Sequence, residues 1–182
     1  KTNLATSAYV YDNAKSGGAG YIAWNGSAGS LSNGLIAPFQ GFWVQASGGT
    51  GSVTIETADK ASPNASNFYK TMQDNTGSMS FIISSGDYSD ITFVSFMNNG
   101  EAGMDNSDAY KLLPMSPSER VVGISYAEGN GLDINNLPYT SENAIDIPLD
   151  RMSLTLDDDY NFVTKAEDVN MTWDWSSLPE HI

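Results

Sequence analysis

The 182-residue chain carries 22 acidic against 8 basic side chains, a formal charge of −14, with 40% hydrophobic and 11% aromatic residues. That charge repels nucleic-acid phosphates and anionic lipid headgroups, which argues against nucleic acid as a partner. The length suits one domain or two small ones, and the absence of cysteine excludes disulfides, thiolate metal sites and cysteine nucleophiles.

The chain opens at Lys1 without a methionine, a basic n-region or an apolar h-region, and no run of 18 apolar residues occurs. It therefore reads as a piece of a longer protein with no membrane insertion. The first elements alternate: "SAYVYD" (7–12) sets Tyr9 and Tyr11 against Val10, and "GYIAWN" (20–25) sets Ile22 and Trp24 against Tyr21 and Ala23. The intervening "NAKSGGAG" is a hairpin loop. "LIAPFQGFWVQAS" and "GSVTIET", joined by "GGTG", form the next expected hairpin, with Pro38 at an edge or bulge because it cannot donate to a ladder.

Residues 58–67, "ADKASPNASN", have linker composition and place a boundary near residue 62. Beyond it follow strands in "SMSFIIS" (78–84), "SDITFVSFM" (89–97), "RVVGISYAE" (120–128), "GLDINNL" (131–137), "AIDIPL" (144–149), "MSLTL" (152–156), "YNFVT" (160–164) and "VNMTWDW" (169–175). "DNSDAYKLL" (105–113) is a candidate helical turn and "NFYKTMQ" (67–73) is ambiguous. No 3.6-residue periodicity is sustained, so the fold class expected is all-β, built as antiparallel β-sandwich or jelly-roll modules. The modules are a partial one over 1–62 and another over 63–182, or one sandwich made from both.

The order "AYVYDNA", "GYIAWNG", "IAPFQGFWVQAS", "ITFVSFMNNGEAGMDNSDAYKL" and "GLDINNLP…IPL" resembles the β-rich C-terminal regions of large secreted or surface proteins of Bacteroidota and related marine bacteria. In that family an "I-A-P-G-Q-G-F-F-V" strand closes one module, and the regions commonly precede a type IX secretion sorting domain. Here Phe39 stands where the family has a small residue before the glutamine, and Trp43 where Phe is usual. The resemblance implies an extracellular or cell-surface, multi-domain parent, neighbouring domains as partners, and a shaping role for Gln40 and Gly41. The last twelve residues, "MTWDWSSLPEHI", resemble the start of a longer family segment.

Chemistry-bearing groups are few. His181 is the one histidine and lies beside the end, so neither a Ser-His-Asp triad nor a histidine zinc site is expected. A glycosidase needs two carboxylates facing across a cleft, whereas most acids here fall in turns, and the chain is read as non-catalytic. Asp105, Asn106 and Asp108 in one turn form a candidate Ca2+ site, with Asp157, Asp158 and Asp159 a second, set against plain Asx-turns. Alternation over 42–46 gives Phe42, Val44 and Ala46 to a core and directs Trp43 with Gln45 outward, beside an outward Tyr21. These three are the candidate contacts to polysaccharide, while Met171, Trp173 and Trp175 are expected to form a core stripe. The functional expectation is a structural or adhesive surface region, with a carbohydrate-binding module as its rival.

Overall fold

A computed structural model describes residues 1–15, 17–60, 77–115, 119–139 and 144–178. The ambiguous segment 67–73, most of the expected linker with its boundary at residue 62, and His181 lie outside these residues. The fold is all-β. Strands β1 (Leu4–Asp12), β2 (Gly20–Trp24) and β3 (Trp43–Ala46) form a small sheet in the order β2-β1-β3. Strands β4 (Gly77–Ser85), β5 (Tyr88–Met97), β6 (Ala109–Tyr110), β7 (Arg120–Ala127), β8 (Asn130–Pro138), β9 (Leu149–Leu156), β10 (Phe162–Thr164) and β11 (Asn170–Asp174) form a larger one. Its order is β10-β9-β7-β8-β5-β4-β11, with β6 also paired to β8.

Turn chemistry explains the tight hairpins. Between β7 and β8, Glu128 and Gly129 both have positive φ, 50° and 80°, the conformation that matches strand twist in a two-residue turn. Among the described residues all strand pairings are antiparallel except one. Residues Asn130–Leu132 of β8 pair with β7, whereas Ile134–Pro138 pair in parallel with Phe93–Met97 of β5. Where β8 changes partner, the hydroxyl of Thr92 donates to the carbonyls of Leu132 and Asp133, at 3.2 and 3.1 Å. This supplies a donor at the point where the ladder changes hands.

The small sheet packs on the large one through Tyr9, Ala23 and Ala28 against Ala109 and Ile134, with Tyr21 and Phe93 at the margin. Burying side chains such as Ile134, with no exposed surface, contributes roughly 1.5–3 kcal/mol each. Polar bonds fix the register of this contact: the Tyr110 N–H donates to the Tyr9 hydroxyl at 2.8 Å, and Asn25 Nδ2 donates to Ser95 Oγ at 3.1 Å. Two further clusters lie in the large sheet, around Phe81, Val94, Phe96 and Leu137, and around Val122, Ile124 and Leu154.

Five expectations are corrected, the first being the strand "AIDIPL" (144–149): residues 144–148 form no strand and β9 opens at Leu149. "GSVTIET" forms no strand hairpin with β3; it makes one bridge, Ser52 to Thr2, and β3 pairs with β1 instead. No helix forms over 105–113, where a turn leads into β6. In β2 the faces are reversed: Ala23 and Tyr21 meet the core, while Ile22 and Trp24 are half-buried on the other face. Met171, Trp173 and Trp175 are exposed rather than core, at 46, 54 and 61%. Their strand is outermost in the sheet, so its inward-register positions, opposite Ile83 and Phe81, reach past the layer that covers those two.

The segment "APFQ" shows what the departure at Phe39 does. The Gln40 N–H donates to the Ala37 carbonyl at 3.0 Å, closing a turn with Pro38 second and Phe39 third. Phe39 has φ 66° and is fully exposed. Third positions with positive φ favour glycine, so Phe39 occupies a strained conformation with no packing in return. Phe39→Gly is expected to stabilise the fold by about 0.5–1 kcal/mol, the relief of the left-handed conformation less the added chain entropy. An unchanged or lower urea midpoint would remove this reading of the turn.

Candidate functional site

The structure brings the aromatic candidates together. Trp43 lies opposite Tyr9 in the β1–β3 pairing, and Tyr21 opposite Tyr11 in the β1–β2 pairing. Tyr11, Tyr21 and Trp43 form a row of edge-to-face contacts, with centroids 5.1 and 5.2 Å apart and interplanar angles of 81° and 80°. Trp43 is 43% exposed at the end of this row, whereas Tyr21 is half-buried against the core. The side sharing Trp43 is thus the one facing Tyr9, and of the expected core set Phe42 and Val44 are half-buried and Ala46 is exposed.

Gln45 lines an open depression of about 390 Å³ together with Glu101, Met104, Asp105, Asn106 and Tyr110. Two groups of residues singled out from sequence, Gln45 and the Asp105–Asn106 pair, therefore share one concavity.

Within the 105–108 turn the carboxylates are turned toward N–H donors. Asp105 Oδ1 accepts from the Ser107 N–H at 2.6 Å, and its Oδ2 from the Glu101 N–H at 3.1 Å and from Asn136 Nδ2 at 2.9 Å. Asp108 Oδ2 accepts from the Asp105 N–H and Oδ1 from the Asn136 N–H, both at 2.7 Å. The Asn106 carbonyl accepts from the N–H and hydroxyl of Thr6, at 2.8 and 2.9 Å. Burial pushes the Asp108 carboxyl up to about 6, against the pull of those two N–H groups. This is the bonding of an Asx-turn that locks β1 and β8 to the start of β6. Among the described residues no three His, Cys, Asp or Glu side chains gather as a metal ligand set.

Asp157 behaves likewise in the β9–β10 turn. Its Oδ1 accepts from the N–H groups of Asp159 and Asn161 at 3.0 and 2.8 Å, and the Asn161 N–H bond holds the carboxyl below the usual range.

The densest chemistry lies elsewhere, in four residues that sequence reasoning did not select. Lys111 Nζ contacts Asp90 Oδ2 and Asp133 Oδ1, both at 2.6 Å, and donates to the Ile91 carbonyl at 3.1 Å. Lys15 Nζ meets Asp90 Oδ1 at 2.9 Å and the Tyr21 carbonyl at 3.1 Å, while the Gly123 N–H donates to Asp90 Oδ2 at 3.0 Å. The side chains of Lys111, Asp90 and Asp133 are only 6–7% exposed. Burial alone would raise Asp90, but Lys111 and Lys15 outweigh it and hold the carboxyl below its usual range. Burial would lower Lys111, and Asp133 and Asp90 outweigh it in turn, so the amine is held protonated.

Local structure positions each member. Asp90 precedes Thr92, Val94 and Phe96 on one face of β5, so an acid occupies the end of an apolar row. Asp133 sits in β8, a strand buried on both faces. Lys111 follows β6, with its N–H bonded to the Gly131 carbonyl at 3.0 Å. Lys15 arrives on the β1–β2 loop, where Gly17 (φ 83°) lies flat on the Ser89 backbone. The signal in the sequence was an acid placed within each of two apolar strands, in a chain with only six lysines.

Beside this quartet is a cavity of about 20 Å³, lined by Lys15, Gly17, Asp90, Lys111 and Arg120 among others. It has room for about one water and no organic substrate. Fold and site together define an all-β protein whose strongest polar cluster is interior. Compared with protein-family models, curated proteins and solved structures, the chain matches none.

Proposed function

We propose that this chain is a non-catalytic, extracellular structural or adhesive region of a larger bacterial surface or secreted protein, serving to space, present or attach its neighbouring domains. The observation that carries the reading is the interior quartet: two amines and two carboxylates, shut away from solvent, are consumed in joining the β1–β2 loop to the large sheet. Catalytic sites place such groups where a substrate reaches them, and the adjoining cavity admits none. The resemblance of the sequence to secreted β-rich regions supports the same reading. Turnover of any member of a broad polysaccharide, peptide and ester panel would overturn it.

A second reading, a carbohydrate-binding module, is favoured by one observation. Trp43 and Gln45 share a face, and Gln45 opens on the depression that also holds Glu101, Asp105, Asn106 and Tyr110. An exposed aromatic beside amide and carboxylate groups is suited to a sugar ring, which offers apolar C–H faces and hydroxyl edges. Polysaccharide screening should then show binding that Trp43→Ala weakens about tenfold, the loss of an aromatic contact worth roughly 1.4 kcal/mol. Absence of binding to every glycan removes this reading and leaves the first.

A further inference from the structure

We propose that Lys111 and Asp133 become joined after folding by an intramolecular isopeptide bond between Lys111 Nζ and Asp133 Cγ, with Asp90 holding the amine in place. The 2.6 Å contact of Nζ with Asp133 Oδ1 puts amine and carboxyl carbon at about the 3–3.5 Å separation of a near-attack pair. Both side chains are shut away from solvent and held by strand pairing on each side, Tyr110 with Leu132 and Phe93 with Ile134. A reaction that is hopeless between exposed side chains in water becomes effectively unimolecular here.

The two carboxylates differ in a way that assigns their roles. Asp90 is braced by Lys15, Lys111 and the Gly123 N–H, so its charge is supported from three sides and it stays ionised, holding the amine in place rather than taking its proton. Asp133 shares one cation among the described residues, Lys111 itself. Asp133 is therefore the carboxyl that accepts a proton and undergoes attack.

The step balances without any added reagent. The Lys111 ammonium passes one proton along its 2.6 Å contact to Asp133 Oδ1. The free amine attacks Cγ, forming the C–N bond, and the Cγ–O bond breaks. The leaving hydroxyl takes a second proton from the nitrogen beside it and departs as water. An ammonium and a carboxylate thus become a neutral amide and one water. Removing two charges from a buried site relieves the desolvation that both ions suffer there. The 20 Å³ cavity lined by Lys111 and Asp90 is the size of the water released.

The bond would clamp the segment after β6 to β8 across 22 residues of chain. Such a clamp fits a region that transmits force, although the chemistry does not depend on that function.

Intact mass of the folded wild-type protein, measured after denaturation, tests the proposal directly. The expected mass is about 18 Da below that of the sequence, the loss of one water. Trypsin should then leave residues 71–120, uncut at Lys111, attached to residues 121–151. Lys111→Arg and Asp133→Ala should both restore the full sequence mass. Asp133→Asn should form the same bond with loss of ammonia, about 17 Da. A wild-type protein at full sequence mass overturns the proposal, as does a deficit confined to a linear peptide; neither result depends on a variant that folds.

Discussion

Lys111→Ala is expected to lower the free energy of unfolding by about 3–5 kcal/mol, measured by urea denaturation at neutral pH. The size of the effect comes from what is left behind. Asp133 would remain buried with neither an ammonium nor an amide bond to answer its charge, Asp90 would keep only Lys15 and the Gly123 N–H, and an uncompensated interior charge costs several kcal/mol. While Lys111 is still an amine, Lys15→Ala should cost less, because Lys15 is at 14% exposure and Asp90 would keep Lys111. Replacing the pair together, Lys111→Met with Asp133→Leu, should recover the electrostatic part of the loss but not the contribution of the Lys111–Asp133 bond, since Lys15 and the Gly123 N–H still serve Asp90. A Lys111→Ala loss below about 1 kcal/mol would mean that the quartet is solvated like a surface ion pair.

Gly17→Ala should cost about 2–3 kcal/mol, a large effect for a change outside the quartet. Gly17 has φ 83°, and a Cβ there would lie 1.7 Å from the Ser89 carbonyl oxygen. No rotamer relieves a clash between Cβ and backbone, so the loop must lift. Lys15 stands two residues earlier on that loop, and lifting it draws the amine from Asp90. The adjacent Gly18 provides the control. Its φ of 114° is also unsuited to alanine, but a Cβ there meets nothing within 4 Å. Gly18→Ala should therefore cost about 1 kcal/mol, the backbone term alone. Equal shifts in thermal midpoint for the two variants would show that contact with Ser89 has no weight.

Most strands were legible because the signal is local. "SMSFIIS" and "SDITFVSFM" alternate or run apolar between turn residues, and they form β4 and β5 as read. What failed depended on partners distant in sequence. "GSVTIET" has strand composition, yet its one bridge is from Ser52 to Thr2, ahead of β1, and β3 pairs with β1. Trp173 and Trp175 alternate like core residues, but alternation cannot report that a strand ends a sheet. In β2 a small residue, Ala23, faces the core because Tyr9 and Ile134 fill the space, so ranking faces by size chose the wrong one. The aromatic candidates were nameable because Trp43 and Tyr21 are distinctive residues. The quartet was not, because Lys15, Asp90, Lys111 and Asp133 are ordinary in composition and meet only through topology.

The change of partner along β8 also sets an order of events in folding. The β4–β5 and β7–β8 hairpins close through two-residue turns, Ser85 to Tyr88 and Ala127 to Asn130, and such units form in about 1–10 μs. The parallel register of Phe93 with Ile134 cannot form that way, since 134 − 93 leaves 41 residues to be closed into a loop first. Lys15 and Asp90 are further apart still, at 75 residues. Two quick hairpins therefore wait on one slow closure, and until β8 swings from β7 onto β5 the carboxylate of Asp133 has no interior to enter. Dense non-local pairing of this kind puts the chain among slow folders, with the ionic quartet assembling at the end.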